Sequence, residues 1–328
     1  MTLSLFLSFL VAFAASVAAG LIVVPILRKL KAGQSIKENG PVWHMSKQGT
    51  PTMGGIIFIT GIVLSVFTVG MPEILAGNYT NIFVLVFALI FGAIGFFDDY
   101  QKLKKKNNTG LSAGQKFILQ VIAAIAFVLL LRFTGHLTPA LYVPFIGVTI
   151  KLNIVVYFAF SAFVIVGCVN SVNLTDGVDG LATGVSIPVA LCYTAVAAAW
   201  GYKSQGIFAA ALAGALVGFL IFNFHPAKVF MGDTGSLFLG GAVCAMAFAM
   251  DMPLILIPLG IVYIIETLSD VLQVAYFKAT HGKRIFKMAP IHHHFEMCGW
   301  NEYKVFAVFS GVSAVFAVIS YFGVFKRF

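Results

Sequence analysis

The chain has 328 residues, of which 60% are hydrophobic and only 10% charged, with a formal net charge of +9. Soluble domains carry about 25% charged residues, so the composition excludes an ordinary soluble protein and describes a polytopic membrane protein. In a soluble chain this positive charge would suggest nucleic acid. Here the concentration of Lys and Arg in one set of loops accounts for it, and no nucleic-acid partner is expected.

A membrane span needs about 20 apolar residues to cross about 30 Å of hydrocarbon. Ten segments are predicted to do so: 3–27, 53–71, 81–97, 117–134, 152–169, 181–200, 206–224, 236–250, 252–277 and 305–325. The first lacks a basic leader and runs too long for a signal peptide, so it is expected to be a retained span. Residues 236–277 as one helix would measure about 60 Å at ~1.5 Å per residue. That is twice the hydrocarbon thickness, so the chain is expected to turn at Asp251-Met252-Pro253. Alternation over Tyr142–Leu152 around Gly147 predicts a small β-hairpin on the outer side. No internal repeat is detected, whereas an inverted repeat would have favoured a transporter. The expected fold class is thus an all-α polytopic membrane protein, residues 1–328 forming a single integral membrane domain.

Ten spans place segments 28–52, 98–116, 170–180, 225–235 and 278–304 on one side, with 16 of the 21 Lys and Arg residues. The positive-inside rule makes that side cytoplasmic and puts both termini outside. Asp98, Asp99, Asp176, Asp179 and Asp233 all fall on it, as do His44, His225, His281, His292, His293 and His294; only His136 lies opposite. Carboxylates at the edge of hydrocarbon are costly, and in a membrane protein they mark functional sites.

Asp98-Asp99 ends the third span, and Lys102 is placed i,i+4 to Asp98 on the same helix face. Adjacent acids point about 100° apart, so one could bind a cation while the other handles a proton. The turn from Asn170 to Gly180 carries Asp176 and Asp179 with Gly177 and Gly180. It lacks the spacing and closing Glu of a calcium loop, and a phosphate or Mg²⁺ site fits it better. Asp233 stands in Gly232-Asp233-Thr234-Gly235-Ser236 at the start of an apolar helix, where Thr234 or Ser236 could cap the helix and leave Asp233 free. Glu266, Asp270 and Gln273 share one face of the ninth span, as a buried polar network or as substrate contacts. Three consecutive histidines, His292 to His294, cannot all face one metal, and hydrogen bonding to phosphate or sugar is favoured. Together these acids, lysines and histidines describe a phosphoryl-transfer site at membrane level, with a soluble anion and a lipid phosphate as substrates.

The motifs Thr50-Pro51-Thr52-Met53-Gly54-Gly55, Phe97-Asp98-Asp99-Tyr100, Asn173–Leu181, Phe230–Ser236 and Pro290–Glu296 resemble those of the phospho-N-acetylmuramoyl-pentapeptide transferases. This resemblance covers essentially all ten spans. The Asp-Asp pair and the Gly-Asp-Thr-Gly turn belong to the wider polyprenyl-phosphate sugar-1-phosphate transferase superfamily, whereas the histidine tract is more specific. The resemblance implies a multi-pass homodimer in the bacterial inner membrane. It implies transfer from UDP-N-acetylmuramoyl-pentapeptide to undecaprenyl phosphate, with Mg²⁺, giving lipid I and UMP. It further implies Asp233 as metal ligand; Asp98, Asp99, Asp233 and His292 as catalytic; and Asn223, Lys102 and Lys116 at the phosphates. Lys47, Thr52, Asn173, Leu174, Asp176, Gly177, Asp179, Phe230, Gln273 and His293 are the remaining implied substrate contacts, with Phe230 suited to stack on uracil. The competing readings are a UDP-N-acetylglucosamine transferase of the same superfamily and a lipid transporter. A transporter would carry its charges near mid-membrane, whereas these crowd one face.

Overall fold

The computed structural model describes residues 1–30, 47, 49–105 and 110–327. His44 and Lys106 and most of segment 28–52 therefore lie outside the described residues. The helices are α1 (Thr2–Lys29), α2 (Gly55–Thr68), α3 (Met71–Leu75), α4 (Thr80–Lys105) and α5 (Ala113–Phe133), then α6 (Ile154–Thr175), α7 (Leu181–Trp200), α8 (Lys203–Asn223) and α9 (Gly232–Ala249). A short α10 (Leu256–Leu259), α11 (Ile261–Ala279), α12 (Ile291–Met297) and α13 (Glu302–Val324) complete them. Among the described residues, eight helices are long and apolar enough to cross a membrane, or nine if the bent pair Pro253–Leu259 and Ile261–Ala279 is one span. The protein is thus a mostly helical, multi-pass membrane protein.

All ten expected apolar segments are helical, but two depart from the expected form. α2 has 14 residues, about 21 Å at ~1.5 Å per residue, which is short of the hydrocarbon thickness. The ninth segment is broken, with a 78° bend at Gly260. Pro258 lacks the N–H a continuous helix needs, and Gly260 follows it. The expected turn before this segment is present: Met252 N–H donates to Ala247 O at 2.9 Å as α9 ends. The hairpin also forms, with β1 (Ala140–Val143) antiparallel to β2 (Val148–Lys151) and Leu141 opposite Ile150. It begins two residues earlier than the alternation suggested.

α8 and α9 form the buried centre, and nearly every side chain on them is covered. Helices packing in lipid gain from close approach and from shared hydroxyl bonds. Ser8 and Ser16 of α1 supply these, donating to Ile207 O at 2.7 Å and Ala215 O at 2.9 Å on α8. By contrast α1, α5, α11 and α13 expose large apolar side chains such as Leu21, Ile122, Leu272 and Phe322, the surface a bilayer would cover. α9 runs from Gly232 at one end of the bundle to Ala249 near the hairpin at the other. The charged motifs gather at the first end.

Candidate active site

α4 brings Asp98 and Asp99 to the start of α9. Gly95 lies one turn before them, and a Cβ there would collide with the Asp233 carbonyl, so the missing side chain sets the helix separation. Asp99 is buried and serves as the cap of α9 from another helix. It accepts from Thr234 N–H at 2.9 Å, Thr234 Oγ1 at 2.7 Å and Asp233 N–H at 3.2 Å. These are N–H groups that a helix start leaves unpaired. The expectation that Thr234 or Ser236 caps α9 is therefore corrected: Thr234 donates its hydroxyl to Asp99, and Ser236 donates to Gly232 O at 3.1 Å. Gly232 holds φ +68, and a Cβ there would strike Thr52 Oγ1 and Asp99 Oδ2. Only glycine meets both conditions.

Asp98 is equally buried but faces cations. Its Oδ1 accepts from Leu111 N–H at 2.8 Å. Its Oδ2 lies 2.6 Å from Lys102 Nζ, as the i,i+4 spacing predicted, and 3.0 Å from Lys116 Nζ. Both ammonium groups also meet Asp233 Oδ2, at 2.9 Å and 2.7 Å. Asn173 donates to Asp233 Oδ1 at 2.9 Å and to Ser236 Oγ at 2.7 Å. Oxygens of Asp98, Asp99 and Asp233 all lie within 4.8 Å of one another, close enough to hold one metal ion. With both Asp99 oxygens committed to α9, Asp98 and Asp233 are the better placed ligands. Two Lys ammonium groups beside them can exchange onto phosphate oxygens when a metal neutralises the acids.

A second cluster surrounds Asp179, which is buried. Lys47 Nζ lies 2.7 Å from Asp179 Oδ1 and 2.6 Å from Glu302 Oε2. His225 Nδ1 lies 3.0 Å from Asp179 Oδ2, and Ala227 N–H donates to the same oxygen at 2.9 Å. Asp176 sits between the clusters and is half-buried. Its burial, with the charges of Asp233, Asp99 and Asp179, holds its carboxyl well above the ordinary value of 3.8.

The remaining expected residues divide by what holds them. Asn223 accepts from Thr183 Oγ1 at 2.7 Å and donates to Val229 O at 3.0 Å, bracing the loop before α9. Gln273 accepts from Ile285 and Phe286 N–H, each at 3.0 Å, and donates to Phe286 O at 2.9 Å. The Gln273 amide is occupied by backbone, the Asn223 amide by one side-chain hydroxyl and one backbone carbonyl. Phe230 N–H donates to Pro51 O at 2.8 Å and its carbonyl accepts from Gly54 N–H at 2.8 Å, so its ring is carried on a loop pinned beside Thr52. Leu174, in the last turn of α6, and Gly177, on the turn that carries Asp176, are half-buried. His293 pairs with Glu296 at 2.6 Å, and His292 pairs with Glu266 at 2.8 Å, both members fully buried. Sequence reasoning missed Glu302 and His225 as partners of Asp179. Glu302 lies 123 residues from Asp179, and its place in the first turn of α13 is the one local signal.

Two family models match this arrangement of motifs: glycosyl transferase family 4 over residues 81–251, and the phospho-N-acetylmuramoyl-pentapeptide-transferase signature 1 over residues 47–59. Similar proteins carrying the phospho-N-acetylmuramoyl-pentapeptide-transferase name extend the likeness to nearly the full length. That of Clostridium acetobutylicum is 47% identical over 316 residues, covering 96% of this chain and 97% of the relative. Those of Staphylococcus carnosus and Listeria monocytogenes are 46% and 44% identical, covering 91% and 95% of this chain and 92% and 96% of the relatives. The segments matched by the two models carry Lys47, Thr52, Asp98, Asp99, Asp176, Asp179 and Asp233, and with identities of 44–47% over more than nine-tenths of its length the chain belongs to the phospho-N-acetylmuramoyl-pentapeptide-transferase family.

Proposed function

We propose that this chain transfers phospho-N-acetylmuramoyl-pentapeptide from its UDP conjugate to undecaprenyl phosphate, releasing UMP and forming lipid I. The observation that carries the reading is the convergence of Asp98, Asp99, Asp233, Lys102, Lys116 and Asn173 at one end of the bundle. Phosphoryl transfer is catalysed by positioning and charge stabilisation, which is what such a cluster supplies. The Lys- and Arg-rich loops at this end support a site facing the cytoplasm of a bacterial inner membrane. A homodimer is part of the same reading.

Asp233, with Asp98, would hold Mg²⁺; the bound ion neutralises diphosphate charge and polarises the phosphoryl oxygens. Lys102 and Lys116 leave their shared carboxylate oxygen for the phosphates of donor and lipid. Asp99 keeps the start of α9 in place, and with it Asp233. The lipid phosphate then attacks the β-phosphorus of the donor directly, and UMP departs. Direct attack is favoured over an aspartyl intermediate because a phosphate dianion is already nucleophilic, whereas a metal-bound Asp233 is not. Phe230 stacks on uracil. Lys47 and Asp179, which bind each other, shape the nucleotide end together with Thr52 and Leu174.

UMP release by purified protein tests the reading, with the muramoyl-pentapeptide donor and UDP-N-acetylglucosamine compared, each with and without Mg²⁺. Release from the first donor alone, and only with the metal, is expected. Release from the glucosamine donor alone would move the chain to the sister specificity. A covalent sugar-phosphate adduct trapped without lipid would overturn direct attack.

A further inference from the structure

α11 carries a carboxylate for which the transfer scheme has no task. Glu266 and His292 are both fully buried, and Nδ1 of His292 lies 2.8 Å from Glu266 Oε2. With Glu266 Oε2 as the acceptor, Nδ1 carries the hydrogen and donates it. Nε2 is then the one ring nitrogen left, and it is buried with no hydrogen-bond partner among the described residues. Leaving a buried polar atom unpaired is unfavourable, so the ring is held there against a local penalty. Glu266 supplies one restraint. The His293 ring, 4.1 Å away between centroids, supplies another, and Glu296 fixes that ring in turn.

The unpaired nitrogen also has a defined direction. It abuts Gly177, where a Cβ would collide with Nε2 and Cε1 of the imidazole. Gly177 follows Asp176, whose carboxyl lies within the field of Asp233 and Asp99. His292 is thus aimed at the turn that joins the two charged clusters.

We propose that Glu266 is a positioning residue that acts through His292, fixing the ring so that Nε2 engages a phosphate oxygen of the nucleotide-sugar at the Asp176–Gly177 turn. The inference rests on the transfer reading above. A proton taken up from water as the turn draws back sits on Nε2 and is donated to the anionic oxygen, and the carboxylate behind Nδ1 balances the charge of the ring. Because the imidazole is wholly covered, the Gly177 turn has to draw back for the contact to form. A contact tightened in the transition state lowers the barrier rather than the ground state.

The test uses the full-length protein with Glu266→Gln and Glu266→Asp. In UMP release, Glu266→Gln is expected to lower kcat about 10–100-fold, the usual range when a group orienting an active-site ligand is lost. The donor KM should move by less than about threefold, as for an interaction made mainly in the transition state. Glu266→Asp should regain part of kcat. The second readout is the ¹⁵N spectrum of histidine-labelled protein, with the His292 signals identified by their loss in His292→Gln. Nδ1 is expected to be protonated in the native chain, and its signal to move in Glu266→Gln. Native kcat in Glu266→Gln, or equal losses in both variants with a lowered thermal midpoint, would overturn the proposal. So would a His292 spectrum unchanged by the substitution. That spectrum is read without donor, so it decides the role of Glu266 even if the native chain releases no UMP and the transfer reading itself fails.

Discussion

α9 joins two charged regions that are built on opposite rules. At its far end Asp251 accepts from Thr138 N–H at 3.2 Å and Thr138 Oγ1 at 2.7 Å. Arg327 meets Asp251 Oδ2 at 3.3 Å and donates to the carbonyls of Met250 and Asp251 at 3.2 Å and 2.6 Å. Its guanidinium also lies over the rings of Tyr142 and Trp200, at 5.3 Å and 5.5 Å. Those contacts tie the hairpin, the turn after α9 and the C-terminal segment together as a clamp. At the near end, Lys102 and Lys116 crowd onto the same oxygen of Asp233 while also meeting Asp98. Shared partners of this kind can be exchanged for a metal and phosphates. Fixed pairing distinguishes a structural region from a reacting one more sharply than the number of charges does.

The near end should fail first and most completely. Asp233→Ala removes the oxygen shared by both lysines and a principal metal ligand of the proposed scheme. UMP release should drop by at least about a thousandfold, more than the loss of one hydrogen-bond donor to a transition state. EDTA should do the same to the native chain, with Mg²⁺ restoring it. Near-normal turnover in the variant would remove Asp233 from the site. Lys116→Met should cost less, about a hundredfold, because Lys102 remains beside the same carboxylates. An unchanged rate in Lys116→Met would mean that Lys116 only neutralises buried acids.

The positions of the membrane helices were legible because hydrocarbon demands long apolar runs, and the gathering of Asp98, Asp99, Asp176, Asp179 and Asp233 was legible from loop charge. What escaped was pairing across distance. Nothing local to Asp179 announces Glu302, and nothing in Gly-Asp-Thr-Gly-Ser reveals that its helix is capped from α4. Asn223 and Gln273 are expected as substrate contacts through the family resemblance and, for Gln273, the polar face of the ninth span; in the fold Asn223 is held by Thr183 Oγ1 and Val229 O, and Gln273 by the Ile285–Phe286 backbone. The broken ninth segment follows from Pro258 and Gly260 together, a signal submerged in the surrounding run of Leu and Ile.

Asp98 and Asp99 separate the same contrast within one pair of neighbours. Asp99→Asn leaves one accepting oxygen for α9, where the native carboxylate uses both. A loss of about 1–2 kcal/mol in stability is expected, the scale of a helix cap, with turnover falling alongside. Asp98→Asn keeps an oxygen for Leu111 N–H but loses the charge that faces the two lysines. It should lose UMP release while moving the denaturation midpoint less than Asp99→Asn does. The reverse order would exchange the roles assigned to the two acids.

The smallest effect belongs to the clamp, and it carries a sign. Burial raises the Asp251 carboxyl above its ordinary value of 3.8, and this outweighs the lowering by Thr138 and Arg327. A group whose folded value is raised contributes stability below its unfolded value and loses that contribution as pH rises through the folded one. At neutral pH the ionised Asp251 therefore carries a desolvation cost that offsets its pairing with Arg327. Asp251→Asn should change stability by less than about 1 kcal/mol at pH 7, the scale of a partly exposed ion pair, and leave UMP release unaltered. Relative to this variant, the native chain should lose stability as pH rises from about 3.8 toward neutrality. Thermal midpoints of both proteins across that range decide the matter. A large loss of stability in Asp251→Asn at pH 7 would show that pairing dominates burial at this end, and that the clamp is held by charge rather than by the packing of Arg327 on its rings and carbonyls.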